Sequence, residues 1–520
     1  MQKSKKPRKQ TEDSALFAIL KFVPLILFGV LVIGFQFDLV LAAPIAAFTA
    51  ALIFILTKRS DFGTAFAQGL QSVRHVALIF FILMFAYGTA ECFMATGVGA
   101  ALINLALQLG VTARTAAPVA LLVTCLLSIA TGSSWATFAA CAPIFLWLTR
   151  LVGGDVVLTA CATAGGSCFG DNIGMISDVT VLSCGLQDVK IIDRVKHQAV
   201  WSIGCLVIGT VIFFLSGLSM PNVQGDVSEA IAQIPSGAYT ALAEQKPSAL
   251  ILLSQVQYGV PYYMILPLVL VIVMSFMGLH TLLCLGAGML SSLVLGLLGG
   301  TIDLSVWLYA GADVPSGFAA VKLALENTVM KGFSDAGGWV VIMMMWVALF
   351  SGIMNAMNAF APLERLVVRL SRNVHHLMAW CGVLCLFGNA ALADEAAQVT
   401  TMSPIVRGIV EKNVDCAEEE DRYRLRLKLA TFTSSMGIYG SELIPWHCFP
   451  VFFATIATAV YPIREGGFSS LDIISRNYMS FIVVGSILLL TFTGLDRLIP
   501  NFGLPKSARL KKQTEQGART

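Results

Sequence analysis

Apolar runs near the ~20 residues that carry a helix across a hydrocarbon core recur along almost the whole chain, parted by short polar stretches. This spacing predicts membrane crossings at about 15–35, 38–57, 76–96, 155–184, 198–218, 260–279, 281–300, 335–360, 428–461 and 478–497. Two further apolar stretches, about 116–149 and 376–411, are interrupted midway by small or polar residues and read as re-entrant hairpins. Each half then runs helix, helix, helix, hairpin, long helix, helix. An odd number of crossings per half inverts the second half, so the first hairpin enters from outside and the second from the cytoplasm. The expected fold is an all-α polytopic membrane protein of two inverted repeats, each with five transmembrane helices plus one re-entrant hairpin. The repeats occupy residues 1–218 and 260–497, with an outside linker at 219–259 and a cytoplasmic tail at 498–520.

Composition agrees with a chain solvated by lipid. Of the 520 residues 57% are hydrophobic and only 12% charged, where a soluble chain carries about 25% charged residues. Mean hydropathy is +0.79. The net charge of +3 implies neither a nucleic-acid nor an acidic partner, and the basic residues are instead sorted by loop. With the N-terminus inside, the cytoplasmic segments hold 26 of the 34 Lys and Arg, among them Lys58, Arg74, Lys190, Arg194, Arg365, Arg372 and Arg424. The outside segments hold Arg114, Arg150, Lys246, Lys322, Lys331, Arg464 and Arg476, and Lys21 lies within the first crossing. Both termini are therefore expected in the cytoplasm, with the chain in the cell inner membrane. The first apolar run is too long for a signal peptide and reads as a retained helix, although Ala42–Ala43–Pro44 offers an alternative cleavage site. The twelve cysteines lie mostly in apolar stretches without CxxC or Cys/His spacing and read as small apolar residues. No cofactor is expected, and with no GxxxxGK[ST] loop the drive must come from ion gradients.

An ionised side chain in a bilayer costs about 2.5–3.5 kcal/mol, so intramembrane acids are candidates for function. The tip of the first hairpin, ATGSSWATFAA, offers Ser133, Ser134 and Thr137 after Gly132; its plainer reading is hydroxyls bonding their own helix. The middle of crossing four, AGGSCFGDNIGMISDVTVLS, gathers Asp171, Asn172, Ser177, Asp178 and Thr180 among glycines expected to unwind the helix; its plainer reading is a pair of helix caps. Hairpin two, FGNAALADEAAQVTTMSP, carries Asn389, Asp394 and Glu395, or else is a hydrated loop. Crossing nine breaks at SSMGIYGSELIPWH, with Ser441, Glu442 and His447, at the place the Asp171 segment holds in the first half. Glu91 is a fifth candidate. The polar segment from Asp415 to Lys428 reads as a solvated cytoplasmic loop, and residues 226–245 as a short surface helix.

The stretches GSSWATFAA at 132–140, FGD at 169–171, ISDVT at 176–180 and the IPW element before Phe452 resemble the NhaC-type Na⁺/H⁺ antiporter family over most of residues 70–495. Where that family commonly reads KLSPLSDTT after FGD, this chain has Asn172, Gly174 and Met175. The resemblance implies exchange of Na⁺ and H⁺ across the lipid bilayer by alternating access, some members also exchanging organic acids. Asp171 and Asp178, with Ser133, Ser134 and Asn172, would bind Na⁺ or H⁺ competitively. Glu442 and the Asp394/Glu395 pair would be the second-half contribution. A homodimer is expected by analogy only. The competing reading is an ion-coupled carrier of a small organic acid or amino acid, supported by Asn389, Arg407 and the altered 172–175 stretch. Cysteines placed at the two hairpin tips are expected to react with impermeant reagents from opposite faces, and labelling of both from one face would refute the inversion.

Overall fold

A computed structural model describes residues 20–511, apart from residues 36, 38, 59–60, 108–110, 221, 223, 226, 238, 241–246, 278, 309–312, 360, 393, 417, 446, 462–463 and 465. The basic N-terminal cluster, the start of the first crossing and the last residues of the tail lie outside the described residues.

The chain is helical almost throughout, as a bilayer demands of backbone groups that find no water to bond. In the first half, α1 (Val23–Gly29) leads through a π turn at Val30–Gly34 towards α2 (Leu39–Lys58). Helix α3 (Phe62–Thr96) is 35 residues long, capped by Asp61, whose carboxylate accepts from Thr64 N at 2.8 Å. It begins well before the crossing expected at 76. At Gly97, with φ 103°, the chain turns into a helix the hydropathy pattern did not separate, α4 (Val98–Leu107). Next come α5 (Ala116–Thr131) and α6 (Ser134–Leu151), then α7 (Val156–Ile173), α8 (Asp178–Gln187) and α9 (Ile191–Gly217).

Two segments of the expected outside linker pack into the body of the protein. Helix α10 (Val227–Ala232) buries Ile231, and α11 (Pro247–Tyr258) buries Ile251, Leu252 and Leu253. Gln255 of α11 donates to the carbonyls of Ala95 and Thr301, at 2.8 and 2.9 Å, and so ties the two halves together.

The second half opens with α12 (Leu266–Phe276) and α13 (Thr281–Leu298). Helices α14 (Phe318–Leu325), α15 (Lys331–Asp335) and α16 (Ile342–Ala356) follow, joined by π turns at Glu326–Met330 and Ala336–Val341. They run as one long rod where a loop was expected before 335. Helix α17 (Ala361–Leu370) precedes α18 (Val374–Leu392) and α19 (Glu395–Asn413). Then come α20 (Glu419–Ser441), α21 (Cys448–Val460), α22 (Ser470–Ser475) and α23 (Tyr478–Thr493). Two short antiparallel clips finish the architecture. Strand β1 (Val111–Thr112) pairs with β2 (Gln224–Gly225), and β3 (Val414–Asp415) with β4 (Arg509–Leu510).

By length and composition alone, three helical stretches among the described residues suffice to cross a membrane: Val40–Thr57, Ile191–Gly217 and Val374–Leu392. Most of the others are cut short by breaks, which is why hydropathy merges them into long crossings.

The glycines of crossing four act differently from expectation. Gly165, Gly166 and Gly170 sit inside intact α7, and the break comes only at residues 174–177. A Cβ at Gly166 would stand 2.3 Å from the Leu121 carbonyl oxygen, and one at Gly170 would stand 2.5 Å from that of Cys125. Small residues one turn apart let α5 and α7 touch backbone to backbone, the usual means of tight helix packing in lipid.

The segment expected as a solvated loop instead runs into the first turns of α20, where Arg422 and Arg424 stay exposed while Leu425, Leu427 and Leu429 are buried. Lys428 is wholly buried. Its ammonium lies 3.1 Å from Asp496, donates to the Phe502 carbonyl at 3.0 Å and stands 3.3 Å above the Phe502 ring. The beginning of the expected tail is thereby fixed in the body of the protein. Breaking a buried ion pair strands the remaining charge, so Lys428→Met should cost about 3–5 kcal/mol of stability. Thermal unfolding of purified protein should show that loss, and the double change Lys428→Met/Asp496→Leu should recover most of it.

A candidate cation centre at four interrupted helices

Helices stop and restart at four places: between α5 and α6, α7 and α8, α18 and α19, and α20 and α21. Each restart leaves backbone N–H groups without an intrahelical acceptor. Each is capped by the side chain just before it. Ser133 accepts from Ala136 N at 3.3 Å, Ser177 from Thr180 N at 3.2 Å, Asp394 from Ala397 N at 2.8 Å and His447 from Phe449 N at 3.2 Å. Ser133 thus follows its plainer reading, as a cap.

The first tip meets the first break at Asp171. Its Oδ2 accepts from the Ser134 backbone N at 3.0 Å and from the Ser134 hydroxyl at 2.8 Å. The Ser177 hydroxyl faces the same carboxylate, while Oδ1 has no hydrogen bond of standard geometry. Asp171 is a buried acid inside the last turn of α7, and so is not a cap. The tip reaches it because Gly132 turns the chain at φ +65°, and a Cβ there would stand 2.9 Å from the backbone carbonyl atoms of Ile176. Asp178, the first residue of α8, accepts from its neighbour's Val179 N at 2.7 Å and from the Tyr87 hydroxyl of α3 at 3.2 Å.

Asn172 faces away from this carboxylate. Its amide donates to Ser434 at 3.0 Å and Ser435 at 3.3 Å on α20. Its carbonyl, freed by the break, is taken by Arg194 at 2.6 Å and Gln198 at 3.1 Å. Arg194 also donates to Thr180 Oγ1 at 2.8 Å. The arginine expected among cytoplasmic loop charges is therefore fully buried and holds the break closed from behind.

The second tip stands across from the first. Trp135 donates from Nε1 to Glu395 Oε1 at 3.1 Å, and its ring packs against Phe449 and Phe452 at 4.9 and 4.6 Å. Phe138 stacks on Phe453 at 4.3 Å. Glu395 and Asp394 are buried and within electrostatic reach of each other, and Glu395 also reaches Asp178. Hairpin two is not a hydrated loop. Cys448, the first residue of α21, lies against both acids. Asn389 donates to the carbonyls of Met436 and Gly437 at 2.6 and 3.0 Å and meets His447 Nε2 at 2.9 Å.

Four residues singled out in the sequence stand apart. Glu442 is buried beside Asn477 and Cys168, which are its hydrogen-bond partners among the described residues, and the Ser441 hydroxyl bonds back to the Ile438 carbonyl. Glu91 is buried on α3 beside Cys92. Arg407 pairs with Glu411 at 2.8 Å and with the Leu186 carbonyl at 3.1 Å, away from the acids. Sequence reasoning missed Tyr87, Trp135, Arg194 and Cys448. Tyr87 and Trp135 lie in segments it singled out, whereas nothing in the pattern distinguishes Arg194 from a loop charge.

Asp171 interacts electrostatically with Asp178, and Glu395 with both Asp178 and Asp394, so acids from both halves share one neighbourhood in which Asp171, Asp394 and Glu395 are buried and Asp178 half-buried. Hard oxygen ligands suit a hard cation such as Na⁺, and the same carboxylates can carry protons instead.

A model described as the Na⁺/H⁺ antiporter family matches residues 14–168 and 166–465. The Na⁺/H⁺ antiporter NhaC of Alkalihalophilus pseudofirmus is 22% identical over 341 residues, 64% of this chain and 66% of that protein. The arginine/ornithine antiporter ArcD of Halobacterium salinarum is 24% identical over 344 residues, 65% of this chain and 64% of that protein. The malate-2H⁺/Na⁺-lactate antiporter of Bacillus subtilis is 23% identical over 390 residues, 72% of each. The chain thus spans about two thirds of the length of the first two relatives. Among solved structures, the YdaH transporter of Alcanivorax borkumensis matches with a TM-score of 0.50 at 13% identity, over 82% of this chain and 86% of that one, and shares the fold.

The close approach at the first tip gives a test. Gly132→Ala forces a side chain into a left-handed turn against Ile176 and should destabilise by about 1–3 kcal/mol. Gly204→Ala, which meets nothing within 4 Å on α9, should change stability by less than about 1 kcal/mol, and upward, since alanine favours the helix. Thermal unfolding of the two variants side by side checks both.

Proposed function

The chain belongs to the Na⁺/H⁺ antiporter family, and from that premise we propose that this membrane transporter exchanges Na⁺ for H⁺ by alternating access. The observation that carries the reading is the Asp171 site. A buried carboxylate is held on one oxygen by the first tip, its other oxygen has no standard hydrogen bond, and Asp178, Asp394 and Glu395 share its neighbourhood. Sodium and protons compete for these acids. Loading one empties the other, which enforces exchange without any nucleotide.

On this reading the halves are inverted repeats. The α5–α6 and α18–α19 pairs are re-entrant hairpins that dip from opposite faces and meet near mid-membrane at Trp135 and Glu395, where discontinuous helices present their ends to an ion. The bundle carrying the tips then moves against the remaining helices. Both termini are cytoplasmic and the membrane is the inner membrane.

A second reading is exchange of a cationic amino acid, favoured by the excess of buried acid over base at the tips and by the likeness to an arginine/ornithine antiporter. An organic anion finds less support, because Arg407 points away from the acids.

Purified protein in liposomes, with internal pH followed after a Na⁺ pulse and no organic solute present, separates these. Na⁺-driven proton movement is expected. Asp171→Asn and Asp178→Asn should each slow it at least about tenfold, a loss near 1.4 kcal/mol. No proton movement at neutral or alkaline pH, with uptake restored by an arginine gradient, would favour the second reading. Full exchange in both Asn variants would displace the site.

A further inference from the structure

Where the second tip meets the second break, three kinds of metal-ligating atom converge. Cys448 Sγ lies 3.6 Å from His447 Nδ1, 3.8 Å from Glu395 Oε2 and 4.0 Å from Asp394 Oδ2. The ligand atoms of Glu395, His447 and Cys448 all fall within 4.8 Å of one another. Tetrahedral zinc, with bonds of about 2.0–2.3 Å, sets its ligand atoms roughly 3.3–3.8 Å apart. The Cys448-to-His447 and Cys448-to-Glu395 separations are already at that spacing, and the one to Asp394 is longer.

The atoms behind these ligands fix their aim. Asn389 turns its amide nitrogen to the carbonyls of Met436 and Gly437, so its oxygen accepts from His447 Nε2. That bond places the ring proton on Nε2 and leaves Nδ1 as an acceptor on the side of Cys448. Its present partner is the Phe449 N–H at 3.2 Å, a long bond that a metal ion would replace. Trp135 holds Glu395 by Oε1, which leaves Oε2 towards the sulfur. Metal-bound histidines and carboxylates are oriented in this way by outer partners.

We propose that Glu395, His447 and Cys448 bind a thiophilic divalent cation of the zinc class, with the fourth position open to water. Sulfur and imidazole select such an ion over Na⁺, which prefers oxygen alone. On binding, the Cys448 thiol gives up its proton to water and the thiolate takes the metal. Because the ligands come from a tip and a break, the bound ion staples α19 to α21. That staple arrests movement of the tip, a consequence that rests on the exchange reading, whereas the binding itself does not.

Titration of the purified full-length protein with Co²⁺ tests the binding directly. One equivalent should raise a sulfur-to-cobalt charge-transfer band, Zn²⁺ should abolish it by displacement, and Cys448→Ser should remove it while Cys416→Ser keeps it. Asn389→Ala, which removes no ligand, should weaken binding by about 10- to 100-fold. In the unaltered protein Zn²⁺ should slow alkylation of Cys448, located by mass spectrometry, a readout that depends on no variant folding. A parent without the band, a band that survives Cys448→Ser, or alkylation indifferent to Zn²⁺ overturns the site. Zinc binding in a protein that shows no Na⁺-driven proton movement would overturn the exchange reading and leave the site standing.

Discussion

The rest of the centre depends on one carboxylate, Asp171, buried in the last turn of a helix and held by the backbone and hydroxyl of Ser134. A buried charge is tolerated only where hydrogen bonds replace the water it has lost. A helix start meets that need, because its first N–H groups have no intrahelical acceptor. Gly132 supplies the turn that brings the start close, and Gly166 and Gly170 bring α5 and α7 near enough for the turn to arrive. Arg194 then occupies the carbonyl that the break in α7 leaves bare, so the interruption persists without water. Each device answers a cost created by the one before it.

The two halves solve the same problem with exchanged parts. Ser133 and Asp394 hold the same capping place at their tips, and Ser177 and His447 the same capping place at their breaks. In the first half the acids sit at the break, as Asp171 and Asp178, and the tip carries hydroxyls. In the second half Asp394 and Glu395 sit at the tip, and the break carries Ser441, Glu442, His447 and Cys448. Where the tips meet, charge from one half faces donors from the other, as Trp135 faces Glu395.

Polar anchoring sets limits on which parts can move. Lys428 and Asp496 lock the start of α20 to the end of α23, and Gln255 fastens α11 to both halves, so these form a fixed frame. The tips are held differently. Their contacts are aromatic packing and hydrogen bonds at the breaks.

By itself the sequence determined that the chain is helical and membrane-embedded, and it placed the four breaks and the acids Asp171, Asp178, Asp394 and Glu395 from apolar length and the polar residues that interrupt it. Those features are local, since a charge or a turn inside an apolar run costs free energy wherever the run is folded. Only the tertiary structure decided how they are used. It made the glycines of α7 contact points instead of hinges, turned Arg194 and Lys428 from loop charges into buried anchors, and folded two segments of the linker and the start of the tail into the body. It also set Glu442 apart from the tips and brought Tyr87, Trp135 and Cys448 to the acids. The physical reason is that hydropathy and charge record what a residue costs in lipid, whereas the partner that offsets this cost comes from elsewhere in the chain, as Ser134 does for Asp171 and Asp496 for Lys428.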